Sequence, residues 1–476
     1  MIDTEPISLS SPEAPLSWKP PPELNCRNTP YRLAEAAYEV SLSQDSSVNI
    51  IEEGWSNDAG DTDGRTGVTI FGDVIIRTTR PGAGPSVSID GFSNDPRISP
   101  QLNIRSGHVT QSFYLTGPSP VLNWPDDTSS PCYQGHIILW LPAGSVFQST
   151  AVVSEHFNIN IRNGLNISNS GGFIATLNSG DITAPDMVDT VGGPVSPYRL
   201  QAPAYTVVSG LGNIRGWFPL YNRLRLLSVF GDVSALIGLK SVDLLTDSSA
   251  QLETSSRRGN VNVTAVAPQQ DSSGRKDGKL PLRDYATVLN TRMGNITAKI
   301  PIGSRTEIET VSGHTDADLQ PILGYTSRDW NRNPWLNTLS ENGNTRIKIR
   351  EPIWTDAIKF PENDYPGRLM SSNGVATEKE SWGNFESRHI SSEGELQLTY
   401  PESWTGIINW QGTDTKGMSL FADSVTVLRQ WGTAIKHIEA RRGNGRSIVN
   451  IDTQGGFAIL AIGREITKNN SDPFRY

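Results

Sequence analysis

The chain has 476 residues, enough for about three domains by length alone, and carries 41 basic against 50 acidic residues for a formal net charge of −9. Charged residues make up 19% of the chain, while glycine and proline number 44 and 31, a composition that disfavours long helices and charge-rich disorder. The acidic balance excludes a broad basic surface, so nucleic acid is not an expected partner.

Residues 1–30 are rich in proline and open with an acidic, serine-rich stretch. This composition predicts an extended linker or stalk rather than a packed element. The segment has neither the basic start nor the apolar stretch of a signal peptide. The longest apolar run, residues 456–463, has the length of one buried strand. Either the chain is cytosolic, or a leader or membrane anchor has been removed from it.

The chain from Tyr31 onward consists of short β-branched and apolar runs separated by Gly, Asn, Asp and Ser. In runs such as 73–79, 157–161 and 260–266, alternate residues are apolar, so each run would present one apolar and one polar face as a strand. No segment of useful length has helical periodicity. The sequence therefore predicts an all-β protein.

A recurring tripeptide, glycine followed by Asp, Asn or His and then Val or Ile, begins many of these runs. It occurs at Gly72, Gly107, Gly180, Gly212, Gly231, Gly259 and Gly294. Glycine supplies a positive φ, Asp or Asn bonds the neighbouring backbone, and the β-branched residue starts the next strand. The irregular intervals favour a degenerate repeat: a β-solenoid-like or β-helix-like stack of short strands with Gly-Asp/Asn-Val corners. An ordinary meander of hairpins would also contain such turns.

The change in amino-acid composition along the chain suggests four segments. The stalk of residues 1–30 precedes a repeat domain over 31–324, which contains a polar loop at 267–284. A Trp-rich insertion or cap is expected over 325–403, where strands are hard to place. Further β repeats over 404–476 would complete the stack.

The Ser/Thr-rich strands with Gly-Asp-Val or Gly-Asn-Val corners resemble the adhesin repeat proteins of fungal and bacterial cell surfaces. The closing segment, from Thr405 to Gly412 and from Arg442 to Gly463, is similar to the end of the fungal members. The resemblance covers 150–430 in patches and 404–463 best. It implies a β-solenoid-like ectodomain without the cytosolic tail and membrane helix of those proteins, and it supplies no catalytic residues.

Two cysteines and four glycosylation sequons bear on the compartment. Cys26 and Cys132 either close one long loop or are unrelated thiols. The sequons are at Asn166, Asn262, Asn295 and Asn469. Together with the scarcity of thiols, they favour an extracellular or cell-surface protein, attached to a membrane only through an anchor absent from this chain.

Acidic pairs are the candidates for catalysis, because a glycan-cleaving enzyme needs two carboxylates placed across one bond. Residues i and i+2 share a strand face, which makes Glu307 with Glu309 and Asp316 with Asp318 candidates, with His314 close by. Several other pairs meet the same requirement, so the pattern also fits solvated surface residues. Metal-binding and nucleotide-binding motifs are missing from the sequence, and no metal or cofactor is expected.

Tryptophans of the last third are the candidates for ligand binding, because indole faces beside amide side chains suit a sugar surface. The predicted ligand-binding residues are Trp330, Trp335, Trp354 and Trp404. Trp410 and Trp431, which lie in apolar strand contexts, are predicted to be core residues.

Two functions follow as hypotheses. The first is a structural or adhesive protein that binds glycan or cell-wall polysaccharide. The alternative is a polysaccharide lyase or glycoside hydrolase on the same scaffold, and fold alone does not separate the two. An enzyme would bring at least two of the acidic candidates together in a concave pocket, whereas an adhesin would scatter them.

Overall fold

A computed structural model describes most of the chain beyond its N-terminal thirty residues. The described residues are 31–40, 45–53, 65–66, 68–98, 101–107, 109–117, 121–122, 131–190, 193–240, 249–267, 280–281, 283–323, 334–354, 382, 384–413, 417–464 and 466. Over these ranges every regular element is a β-strand, which confirms the predicted all-β class. Among them is no helix with the length and apolar character that crossing a membrane would require.

The strands of the first half are short and closely spaced. They are β1 (Tyr31–Glu39), β2 (Ser47–Glu53), β3 (Arg65–Thr66), β4 (Thr69–Thr78), β5 (Ser86–Ser93), β6 (Gln101–Ser106), β7 (Thr110–Thr116), β8 (Val121–Leu122), β9 (Cys132–Leu141), β10 (Ser145–Ser154), β11 (Asn158–Ile161), β12 (Asn166–Ser179), β13 (Ile182–Thr183), β14 (Val188–Thr190), β15 (Gly193–Val195), β16 (Arg199–Gln201), β17 (Ala204–Leu211), β18 (Ile214–Leu220), β19 (Arg223–Phe230) and β20 (Val233–Leu239).

The strands of the second half are also short and closely spaced. Its strands are β21 (Ala250–Arg258), β22 (Val261–Val266), β23 (Tyr285–Met293), β24 (Ile296–Ile302), β25 (Arg305–Ser312), β26 (Thr315–Leu323), β27 (Trp335–Asn342), β28 (Thr345–Ile349), β29 (Ile353–Trp354), β30 (Glu386–Glu393), β31 (Glu395–Tyr400), β32 (Gly406–Thr413), β33 (Met418–Ala422), β34 (Val425–Trp431), β35 (Ile435–Arg442), β36 (Ser447–Thr453) and β37 (Phe457–Ile462).

From β17 to β28, successive strands alternate between two large sheets, and within each sheet a strand pairs in parallel with the strand two elements further along the chain. The first sheet contains the run β18-β20-β22-β24-β26-β28-β31-β37-β33, and the second contains β17-β19-β21-β23-β25-β27-β30-β36-β32. Inward side chains alternate with outward ones along these strands, as the buried and half-buried positions of β25 and β26 show. The core therefore lies between the sheets, and each sheet has a solvent-facing outer surface.

The corner between the two sheets is built on stacked glycines. Gly231 has φ of 153°, and a Cβ atom added to it would lie 2.1 Å from the carbonyl oxygen of Gly212. The positive φ predicted from the tripeptide is confirmed at Gly72, Gly180, Gly212, Gly231, Gly259 and Gly294. Gly107 is different, because its N–H donates to the Thr110 carbonyl at 2.8 Å in the turn between β6 and β7. It belongs to a hairpin, so it is not a stacked corner.

The residue after each corner glycine forms a ladder of side chain to backbone hydrogen bonds. The Oδ1 atom of Asn213 accepts the N–H of Asp232 at 2.9 Å, and Oδ1 of Asp232 accepts the N–H of Asn260 at 2.8 Å. We call one strand of each sheet, with the corner that joins them, a coil. Asn260 and Asn295 repeat the contact towards the next coils at 2.9 and 2.8 Å. Each side chain thus joins two neighbouring coils, which explains the preference for Asp and Asn at this position.

Replacing Asn213 with alanine should lower the free energy of unfolding by about 1–2 kcal/mol. The change removes the acceptor for the Asp232 N–H and a donor to Asp181 at 3.0 Å. Urea denaturation measures the loss. Asn262, an exposed residue on β22, is the matched control, and its alanine variant should stay within about 0.5 kcal/mol of the wild type. Equal stability of the two variants would contradict a stabilising ladder.

Residues 334–354 and 384–403, which lie in the segment predicted to be a Trp-rich insertion or cap, contain strands of both large sheets. Strands β27 and β30 pair in the second sheet, and β28 and β31 pair in the first. These residues therefore continue the stack, because their inward positions alternate as in the earlier coils. Residues 325–333 and 355–381 of the predicted insertion or cap lie outside the described residues, as do the stalk at 1–30 and most of the loop at 267–284.

The coils at both ends are out of chain order. Near the C-terminus, β36 pairs between β30 and β32, while β37 pairs between β31 and β33. Near the N-terminus, β2 pairs between β7 and β10, and β4 pairs between β9 and β11. Beyond the last coil, the antiparallel strands β35 and β34 extend the second sheet.

Candidate functional site

The acidic candidates for catalysis lie on the outer faces of different sheets. Glu307 and Glu309 are outward positions of β25 in the second sheet, whereas Asp316 and Asp318 are outward positions of β26 in the first. The two pairs therefore face away from each other across the core. The described structure brings none of these carboxylates together in a shared cleft.

Ion pairs and backbone contacts already occupy three of the same candidates. Glu307 accepts a hydrogen bond from Arg305 at 2.7 Å. The Arg350 guanidinium binds Asp318 and holds the pKa of that carboxyl below its usual value. His314 lies in the corner ladder, where its Nδ1 accepts the Asn344 N–H at 3.0 Å. These contacts are typical of structural surface residues.

Of the predicted ligand-binding tryptophans, the structure describes the side chains of Trp335 and Trp404. Trp404 has 0% of its surface exposed and packs against Tyr400 with ring centroids 5.5 Å apart, so it is a core residue and offers no face to a ligand. Trp335 is half-buried at the start of β27. Trp330 and the side chain of Trp354 lie outside the described part of the chain.

The two tryptophans predicted to be core residues differ in exposure. Trp410 is 3% exposed and donates to the Thr453 hydroxyl at 3.1 Å, which confirms the prediction. Trp431 is 50% exposed, which corrects it. The reason is that β34 is the outermost strand of its sheet, and its side chains after Val425 are exposed on both faces. The polar neighbours Arg429 and Gln430 were the one sequence signal of this position.

Trp431 forms one wall of an open pocket on the outer face of the second sheet. Its indole stacks on the His437 imidazole with ring centroids 5.1 Å apart and planes inclined by 6°. The pocket has a volume of about 310 Å³, and we call it the terminal pocket. It is lined by Arg388, Asn409, Trp410, Gln411, Trp431, His437, Ile438, Asn450, Ile451 and Asp452.

Strand register sets the polar side chains of the terminal pocket in two parallel rows. The first row runs Arg388–Asn450–Asn409 across β30, β36 and β32. The second runs Asp452–Gln411–His437–Trp431 across β36, β32, β35 and β34. These positions alternate with buried residues on each inner strand, so the rows share one face.

Hydrogen bonds within the rows fix the orientation of the amides. Gln411 Nε2 donates to Asp452 Oδ2 at 2.7 Å. Asn409 Nδ2 donates to Asn450 Oδ1 at 3.0 Å. Each amide still has polar atoms with further hydrogen-bonding capacity. The pocket therefore combines a flat aromatic wall with pre-oriented donors and acceptors.

A buried carboxylate near the N-terminal end was not anticipated from the sequence. Burial opposes ionisation of Glu52, but hydrogen bonds from His156, Ser154 and the backbone outweigh it and lower its pKa. The same contact, 2.8 Å from His156 Nδ1, raises the pKa of His156. Glu52 also accepts the N–H groups of Glu155 and His156. The cluster fixes the turn between β10 and β11 rather than presenting a reactive group.

The remaining sequence candidates concern covalent modification and metals. Cys132 is fully buried and lies in a disulfide. Cys26 lies outside the described residues, so its pairing stays a prediction. Asn262 and Asn295 are exposed, Asn166 is half-buried, and Asn469 also lies outside the described residues. Within the described ranges, no three His, Cys, Asp or Glu side chains are grouped as metal ligands.

Comparison with known proteins found no matching family model and no matching curated protein. One similar crystal structure, from Clostridium sporogenes, is described as a "putative cell adhesion protein"; it shares 8% identity over 90% of this chain and 98% of its own length, with a TM-score of 0.16. Another, from Bacteroides fragilis, is described as a "putative adhesin"; it shares 11% identity over 67% of this chain and 98% of its own, with a TM-score of 0.26. With TM-scores and identities this low, neither likeness defines a family or a role for this chain.

Proposed function

We propose that this protein is an extracellular, adhesin-like β-solenoid that binds glycan or cell-wall polysaccharide through the terminal pocket. The observation that carries the proposal is the exposed Trp431 indole, stacked on His437 beside two rows of oriented polar side chains. A half-exposed tryptophan leaves apolar surface in water unless a ligand covers it.

The chemistry of the terminal pocket matches a saccharide. The C–H face of a sugar ring packs on an indole, and its hydroxyls donate and accept hydrogen bonds at amide and carboxylate groups. Gln411 and Asp452 lie in the same row as Trp431, and Asn409 and Asn450 lie in the next. Such a combination of one aromatic surface with a few convergent polar groups is typical of a small-ligand site.

The proposed solenoid and its extracellular location rest on other features. Parallel pairing of every second strand, with glycines stacked at the corner, would wind the chain into a rigid rod. A disulfide at Cys132 suits an oxidising compartment. The sequons at Asn262 and Asn295 would be accessible to glycosylation because both side chains are exposed.

Binding without cleavage is favoured over the enzymatic alternative. Glycoside hydrolysis requires two carboxyl groups flanking the scissile bond. Among the described side chains that line the terminal pocket, Asp452 alone is a carboxylate, and Gln411 already engages one of its oxygens. The acidic pairs of β25 and β26 lie on separate faces. An adhesive role needs only the binding surface.

Replacing Trp431 with alanine should reduce glycan affinity at least tenfold, because the stacking wall of the terminal pocket is lost. Screening the wild type on a glycan array, followed by titration of the bound glycans against the variant, measures the loss. Val427 lies on the same strand, is 45% exposed and does not line the pocket. Its alanine variant is the control and should bind like the wild type.

Two outcomes would overturn the proposed function. One is an array on which the wild type binds no glycan. The other is a glycan that binds the Trp431 variant and the wild type equally. Release of reducing ends or unsaturated products from a bound glycan would favour the enzymatic alternative instead.

A further inference from the structure

Arg388 is an exposed cation at one end of the terminal pocket. Several other outward arginines of the second sheet are neutralised by glutamates. These pairs are Arg225–Glu253 at 2.7 Å, Arg305–Glu307 at 2.7 Å and Arg429–Glu439 at 3.8 Å. Arg388 forms no ion pair or hydrogen bond with any side chain that the structure describes. Its guanidinium group is therefore available to a ligand.

The neighbours of Arg388 in the sheet explain why it is unpaired. On either side, strand register places the neutral amides Asn337 and Asn450 opposite it. The nearest acidic position on its own strand is Glu386, which accepts a hydrogen bond from Asn450 at 3.5 Å. Asp452 lies opposite Ile390, one diagonal step away, and binds Gln411. Both nearby carboxylates thus contact amides, and no described side chain forms an ion pair with Arg388.

We propose that the terminal pocket selects an acidic glycan, one that carries carboxylates of the uronic-acid kind, and that Arg388 binds a carboxylate while Trp431 stacks on a sugar ring. This inference rests on the proposed function and adds the ligand class. Arginine presents two parallel N–H donors that match the two oxygens of a carboxylate. A neutral hydroxyl offers neither the charge nor that geometry.

The span of the terminal pocket indicates an oligosaccharide rather than one sugar. Four strand spacings separate Arg388 on β30 from Trp431 on β34. At ~4.8 Å for each spacing, the distance along the sheet is roughly 19 Å. A ligand that reaches both side chains must therefore contain several sugar units, and its affinity should rise with length.

The net charge of the protein makes the unpaired cation significant. The chain carries a formal charge of −9, so an acidic glycan is repelled by the protein as a whole. Selection of such a ligand requires a local, uncompensated positive group, and Arg388 is one. The attraction should weaken as salt is added, because Arg388 is exposed.

The test compares tetrameric oligosaccharides of galacturonic, glucuronic and mannuronic acid with their carboxyl-reduced neutral counterparts. Titration calorimetry at low salt should show at least tenfold tighter binding of one acidic member than of its neutral counterpart. The Arg388→Gln variant should lose that preference, while Arg388→Lys should keep only part of it. Arg346→Gln removes the same charge from an exposed position on the first sheet and should change nothing.

The outcomes separate this inference from the proposed function. Equal binding of acidic and neutral members, or a preference that survives in Arg388→Gln, overturns the acidic-glycan inference. If binding is then still lost in Trp431→Ala, the proposed function stands. A wild type that binds no acidic oligosaccharide but binds neutral ones also overturns the inference alone. Absence of binding to any glycan overturns both.

Discussion

Replacing Gly231 with alanine should destabilise the protein by about 3 kcal/mol or more. A Cβ atom at this position would lie 2.1 Å from the carbonyl oxygen and 2.5 Å from the carbonyl carbon of Gly212. Both atoms belong to the backbone of the neighbouring coil, so no side chain rotation relieves the overlap. The φ of 153° adds strain for any residue with a Cβ atom.

Relief of that overlap requires the two coils to separate. Gly231 lies between Gly212 and Gly259 in the stacked corner, and its own N–H donates to the Arg258 carbonyl at 3.0 Å. Separation would stretch the parallel hydrogen bonds of β17 with β19 and of β18 with β20. The cost is therefore spread over both sheets.

Urea denaturation followed by circular dichroism measures this loss. Gly84 is the matched control, since a Cβ atom there meets nothing within 4 Å. The free energy of unfolding of Gly84→Ala should stay within about 0.5 kcal/mol of the wild-type value. If Gly231→Ala were as stable as Gly84→Ala, stacking of the corner glycines would not hold the coils at their spacing.

The corner was predictable from sequence because its chemistry is local. A glycine with positive φ, an Asx side chain and a β-branched residue occupy three consecutive positions at Gly212 and Gly231. The same corner at Gly313, Gly343 and Gly394 was missed, because Thr replaces Val or Ile after the first two and Glu-Leu follows the third. Gly107 shows the converse, since a tripeptide of the same pattern, Gly-His-Val, closes a hairpin.

The ends of the stack were not predictable, because strand order there depends on long-range pairing. The residue pattern of β36 does not predict that this strand pairs between β30 and β32 rather than after β35. The terminal pocket depends on this arrangement, since its rows cross β30, β36, β32, β35 and β34. Sequence patterns indicated aromatic rings beside amides as the chemistry of a binding surface, but they assigned it to Trp330, Trp335, Trp354 and Trp404 and predicted Trp431 to be a core residue.

The interior also contains a polar group that strand periodicity could not identify. His389 is an inward residue of β30 with 0% of its surface exposed. Thr338 contacts its Nδ1 at 2.8 Å, and the Tyr400 hydroxyl contacts its Nε2 at 2.9 Å. Both partners are neutral, so the structure stabilises the neutral imidazole and gives no counter-charge to the protonated form.

Acidification from pH 7 to pH 4.5 should cost the wild type roughly 2–3 kcal/mol of unfolding free energy through His389 alone. Burial lowers the pKa of His389 from 6.5 to about 3. Between these values the unfolded chain binds a proton that the folded protein does not bind. Stability from this group is therefore complete above pH 6.5 and is lost as the pH falls towards 3.

The His389→Gln variant isolates this contribution from the other titrating groups. Glutamine does not ionise, so the variant should lose less stability between pH 7 and pH 4.5 than the wild type does. Tyr400→Phe is the control: it removes a hydrogen bond to His389 and one to Ser387 but keeps the imidazole. It should therefore be less stable at both pH values and retain the wild-type difference between them. Urea denaturation at the two pH values measures all three proteins. If His389→Gln and the wild type lost the same free energy, His389 would not be a neutral residue of the core.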